Sequence, residues 1–176
     1  SVYSVLRAPY DDLISVSGVG HNTAVIIILA HKLISVSYAE RAKAGTYLAD
    51  DKFVRDYCRN LVSDKSVEEF HVLYLGNDSR LLLDETHSHG TIDESAVYPR
   101  EISRKALQLN AIGVILVHNH PISENNFSHT DVELTALIED RLNSFGISLV
   151  DHFLVASNGV VYSLRASPWL RKTGLK

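Results

Sequence analysis

The chain has 176 residues, 45% of them hydrophobic, with a formal net charge of −4 and one cysteine, Cys58. That is enough apolar material for one compact domain with a small appendage. The acidic balance speaks against a general polyanion binder, and a lone thiol excludes an internal disulfide or a thiolate metal cluster. No secretory pattern opens the sequence, and its longest apolar run, Ala24 to Ala30, is too short to span a bilayer. A reducing, cytoplasmic setting without membrane contact is the expectation.

Residues 1–48 read as a helical segment with a linker. Asp11 to Ile14 suggests a short helix, Ser17-Gly18-Val19-Gly20 a tight turn, and Asn22 to Ile34 a second helix capped by Asn22 or Thr23. Residues 37–48 follow as a polar linker, because Ser37 and Gly45 interrupt the pattern and Glu40, Arg41 and Lys43 keep it solvated. The glycine turn resembles the hairpin of helix-hairpin-helix modules, which hold a nucleic-acid backbone without reading sequence. Gly18 and Gly20 are then the candidate DNA contacts, since glycine lets the backbone approach a phosphate. An ordinary helix–helix turn is the competing reading. It is favoured by charge, because only Arg7 and Lys32 are basic across residues 1–36.

Residues 49–176 read as the main domain. A helix from about Ala49 to Leu61 carries Phe53, Tyr57 and Leu61 on one face, with Val54 beside them. Strands at Phe70–Leu75 and Arg80–Asp84 are joined by a turn over residues 76–79, and a third strand is expected from Thr91 or Ile92. Pro99 opens a helix whose buried stripe is Ile102, Ala106 and Leu109, widened by Leu107. Ile112 to Val117 is apolar enough for a central strand. A helix from about His129 to Ser144 follows, built on Leu134, Leu137, Ile138 and Leu142 and stopped by Gly146. Ile147–Val155 and Val160–Leu164 make two more strands around the turn signal Asn158-Gly159. Helices alternating with strands place the chain in the α/β or α+β class.

The chemistry gathers around His118-Asn119-His120-Pro121. On extended backbone, positions i and i+2 share a face, so both imidazoles can reach one ion. Two histidines at a strand end that meet only backbone or water are the bland alternative. Asp131 weighs against that alternative: it lies on the edge of the helix's buried face, where a carboxylate is costly unless paired or bound to a cation. It also suits first-turn capping. Ser128 fits two roles, as the cap of the same helix and as a hydroxyl donor to a tetrahedral oxyanion. Glu68 or Glu69, just before the first strand, can supply a general base. His87-Ser88-His89, with Asp93 beyond, repeats the spacing without a leading apolar run and reads as a loop over the cleft.

His118, His120, Ser128 and Asp131 together resemble the JAMM (MPN+) metalloprotease motif, HxH followed by SxxD. Tyr98-Pro99-Arg100-Glu101-Ile102, Ala106 to Ala111 and Gly146 to His152 resemble bacterial RadC proteins, and the likeness covers about residues 50–165. The resemblance implies a JAB/MPN, cytidine-deaminase-like fold: a curved mixed sheet flanked by helices, behind a partial helix-hairpin-helix. It implies Zn²⁺ held by His118, His120 and Asp131 with water in the open position, Ser128 supporting an oxyanion, and Glu68 rather than Glu69 as the base. The implied activity is cleavage of a peptide or isopeptide bond in a peptide or protein substrate. A DNA-associated repair factor and a non-catalytic MPN-fold adaptor are the other readings. Ile122, Ser123, Asn125 and Phe127 depart from the usual loop, HNHPSGDPxPS, and remove residues that stiffen it.

Overall fold

The computed structural model describes residues 2–62, 65–89, 97–122 and 126–167, without the side chains of Tyr3, Thr46, Tyr47 and His89. The strand expected from Thr91 or Ile92, and Asp93, lie outside the described residues. The chain divides into two compact units, Ser1–Arg41 and Ala42–Lys176.

The first unit holds α1 (Val2–Leu6), α2 (Tyr10–Ile14) and most of α3 (His21–Ala44). Gly18 takes φ +88° in the turn between α2 and α3, a conformation that side chains with a Cβ resist. The Tyr10 hydroxyl meets Nδ1 of His21 at 2.9 Å and ties the two helices together. α3 corrects one expectation. It runs unbroken through Ser35 and Ser37 to Ala44, so the linker is largely helix. Ser35 stays helical by donating its hydroxyl to the carbonyl of His31 at 3.1 Å. The charged residues after it are good helix formers that solvate a helix as readily as a loop. The full 24-residue helix is also long and apolar enough to cross a membrane by length and composition, unlike the short run within it.

The second unit is built on a five-stranded mixed sheet. After a 3₁₀ turn at Thr46–Ala49 come α4 (Asp51–Val62), β1 (Glu69–Leu75), β2 (Leu81–His89), α5 (Pro99–Gln108), β3 (Gly113–His120), α6 (His129–Asn143), β4 (Ser148–Ala156) and β5 (Val161–Ser163). The strand order is β2-β1-β3-β4-β5, with only β3 and β4 adjacent and parallel. Because β1 is antiparallel to both neighbours, β2, β3 and β4 all run the same way. The crossovers through α5 and α6 therefore move in one direction across the sheet, and a common handedness puts both helices on one face. Ile102 and Ala106 of α5 and Ile138 and Leu142 of α6 accordingly share one core with Phe70, Val72, Tyr74, Val114 and Leu116. α4 buries Phe53, Val54, Tyr57 and Cys58 and packs against β3, β4 and β5. This is the JAB/MPN-type architecture expected from the resemblance.

Two departures bear on the site. β3 continues to His120, past the strand end expected at Val117, so both histidines belong to a paired strand. His87 likewise lies in β2, not in a loop, with its partly buried ring against Tyr74 and Glu85. Two leucines also escape the core assigned to them: Leu107 is 47% exposed and Leu137 46%.

Candidate metal centre

Strand register places the site's first member. Phe70 pairs with His118 across the antiparallel β1–β3 ladder. Continued two residues back, that register sets Glu68 opposite His120, and directly opposed residues share a sheet face. Glu69 is one residue out of phase and points to the other face. There its carboxylate meets Nε2 of His71 at 3.0 Å and Nζ of Lys65 at 3.4 Å. Asn119, between the histidines, secures this start of β1. Its side-chain oxygen accepts from the Glu69 amide at 2.8 Å, and its Nδ2 donates to the Val67 carbonyl at 3.1 Å.

The helix supplies the aspartate. Ser128 is the N-cap of α6 and Asp131 its third residue, and both halves of the capping box are formed. The Asp131 amide donates to Ser128 Oγ at 3.1 Å. Asp131 Oδ2 accepts from the Ser128 amide at 2.7 Å and from its hydroxyl at 2.8 Å. Burial alone drives the Asp131 carboxyl upward, but His118 in its protonated form, and then Ser128, outweigh it, so the group is held well below the usual carboxylate range.

Glu68, His118, His120 and Asp131 each bring one ligand atom into a group in which all lie within 4.8 Å of one another. Nε2 of His118 and Nε2 of His120 are 3.1 Å apart, and Asp131 Oδ2 lies 3.4 and 3.7 Å from them. Ligands at zinc distances around a tetrahedral ion stand roughly 3.3 Å from each other. The three contacts match the edges of such a site. A second observation agrees: Oδ1 of Asp131 is buried without a hydrogen-bond partner among the described residues. An orphaned carboxylate oxygen beside two converging imidazoles is costly unless a cation fills the space.

A chain of hydrogen bonds behind His118 prepares it as a ligand. Nδ1 of His118 meets Nε2 of His152 at 2.8 Å, Nδ1 of His152 meets the Thr135 hydroxyl at 2.6 Å, and that hydroxyl donates to the Asp131 carbonyl at 2.5 Å. Read from its far end, the chain has one consistent proton arrangement. Thr135 spends its proton on the carbonyl, His152 donates through Nδ1, and His118 donates through Nδ1 to His152. Nε2 of His118 is then left with a free lone pair aimed at the cluster. Burial first, and His118 next, push the His152 pKa well down, which keeps that ring neutral as the chain requires.

The family described as RadC-like JAB domain matches residues 48–169. A UPF0758 protein of Ruegeria pomeroyi is 34% identical over 170 residues, spanning 94% of this chain and 74% of its own. One from Fusobacterium nucleatum is 33% identical over 165 residues (90% and 71%), and one from Burkholderia thailandensis 34% over 170 (97% and 64%). The chain belongs to the RadC-like JAB family.

Within that family fold, short-range sequence patterns mark the residues on β3 and α6 but not two that support them. Asn119 is hidden by its position between two more conspicuous residues. His152 lies on β4, 34 positions from His118, and its only local signal is an ionisable residue inside an apolar strand. The altered loop holds a further surprise. Phe127 is buried, with its ring centroid 5.7 Å from that of His118 and 5.2 Å from that of His152. It packs with Val132, Leu154 and Leu164. Its side chain thus walls one side of the His118–His152 pair.

Proposed function

We propose that this chain is a zinc-dependent hydrolase of JAMM type that cleaves a peptide or isopeptide bond. The observation that carries the reading is the convergence of His118 Nε2, His120 Nε2 and Asp131 Oδ2 beside Glu68, with an unsatisfied carboxylate oxygen among them. His118, His120 and Asp131 would hold the ion. Zinc bound there polarises a substrate carbonyl and brings the pKa of a water toward neutrality. Glu68 takes the proton released as the water oxygen bonds the carbonyl carbon, and returns it to the nitrogen as the C–N bond breaks. Ser128 anchors Asp131 through its hydroxyl. By turning that hydroxyl toward the cleft it gains a second role, donating to the oxyanion. The neutral His152–Thr135 chain keeps His118 in its ligating tautomer.

Zinc content and hydrolysis of a mixed peptide and isopeptide library test the reading. The wild type should hold one zinc and show turnover that a chelator abolishes. His118→Ala and Asp131→Ala should lose both. Equal zinc in all three proteins refutes the site, and zinc binding without turnover of any library member leaves the adaptor reading in its place.

A further inference from the structure

The outer surface of α5 and α6 carries a groove that the metal centre does not use. Along α5, Arg100, Arg104 and Leu107 recur at helical spacing; Leu137 and Arg141 do the same along α6, and Phe145 follows in the turn after it. The two stripes line a groove of about 590 Å³, with Tyr98 and Pro99 at its end. Its apolar walls are open to water, Leu107 and Leu137 at nearly half and Tyr98 and Phe145 at more than half of their surface. Adjacent exposed apolar side chains of this kind mark interaction surfaces rather than core.

The charge around the groove narrows the partner. Arg104 pairs with Glu101 at 2.8 Å, and Arg100 approaches the same carboxylate at 3.5 Å. Two guanidiniums thus share one acid, and Arg141 forms no hydrogen bond or ion pair among the described residues. A local positive excess in a chain of net charge −4 favours an anionic partner. The apolar walls favour a partner that also brings apolar side chains. A nucleic-acid strand fits less well: the face of Tyr98 is already covered by Arg100, 5.5 Å from its centroid, and the walls offer little to a phosphate chain.

We propose that this groove is a docking site for an acidic peptide segment of another protein, whose leucine or phenylalanine side chains enter between Leu107, Leu137 and Phe145 while its carboxylates meet Arg100, Arg104 and Arg141. The site stands apart from the metal chemistry and does not depend on it.

Fluorescence polarisation on the whole chain tests this with three labelled probes. The first is a short peptide alternating leucine and phenylalanine with aspartate and glutamate. The second is its asparagine and glutamine counterpart, and the third a thymidine oligonucleotide. The acidic peptide should bind saturably, more weakly as salt rises, and the neutral one roughly tenfold or more worse. Arg141→Glu and Leu137→Ser should each weaken binding to a similar degree, while Arg80→Glu, an equal charge change on the β1–β2 turn, should not. Circular dichroism and melting curves identify which variants remain folded, and either groove variant suffices. The proposal is overturned by absence of binding up to ~1 mM peptide, by equal losses in Arg141→Glu and Arg80→Glu, or by tighter binding of the oligonucleotide. It is also overturned if the wild type is a dimer by light scattering and Leu137→Ser is a monomer, since the groove would then be the contact between copies.

Discussion

Two buried histidine clusters lie on opposite faces of the same sheet, and they are put together differently. On one face, His118 and His120 aim their ring nitrogens at a common point beside Glu68 and Asp131. On the other, His71 turns its nitrogens apart, Nε2 to Glu69 and Nδ1 to Asp84, each at 3.0 Å. Lys65 adds a cation near Glu69, and the Tyr57 hydroxyl donates to Asp84 at 3.3 Å. The second cluster is closed by its own hydrogen bonds and leaves no common point for an ion. A histidine among carboxylates is therefore not enough to make a metal centre. Converging lone pairs and an unsatisfied oxygen are what the candidate metal centre adds, and diverging nitrogens mark a salt-bridge lock joining β1, β2 and α4.

The adjacent acids Glu68 and Glu69 give the sharpest way to break this contrast. Glu68→Gln should lower hydrolysis by about 10²–10⁴-fold with zinc retained. Glu69→Gln should leave the rate within a few-fold and lower the melting temperature instead. The opposite result would move the catalytic base to the other face. His152→Ala comes next in size. It removes the acceptor behind His118 and should weaken zinc about 10–100-fold in a chelator competition. Unchanged affinity would make the buried chain a packing feature only.

The lock predicts a pH dependence of its own. Burial opposes charge on His71, but Asp84 and then Glu69 outweigh it, and its pKa is raised. Such a group contributes stability that is fully present below the unfolded value of about 6.5 and is lost as pH rises through the folded value. His71→Gln should cost about 1–3 kcal/mol in urea melts near pH 6. The gap to wild type should narrow toward pH 8.5 while zinc affinity stays unchanged. A gap that widens with pH would mean the ring stabilises the fold chiefly in its neutral form. The smallest effect belongs to Ser128→Ala, which removes a helix cap and should cost about 1 kcal/mol. A loss of turnover without that loss of stability would assign Ser128 to the oxyanion alone.

Much of this was legible in local sequence. The His-x-His parity, the Ser-x-x-Asp cap and the α6 repeat are short-range patterns, and each reports a geometry set within one strand or one helical turn. Patterns of composition misled where two structures solvate the same residues. Glu40, Arg41 and Lys43 continue a helix instead of forming a linker, and the spacing of Leu107 and Leu137 matched a core stripe without revealing which side the sheet would cover.

By itself, the sequence determined that two imidazoles and a helix-capping carboxylate could meet, since periodicity 2 and periodicity 3.6 are properties of the backbone. Tertiary structure decided which acid joins them, which histidine supports them and which leucines stay in water. Each of those depends on strand register or helix placement between segments far apart in the chain, and no local spacing encodes it.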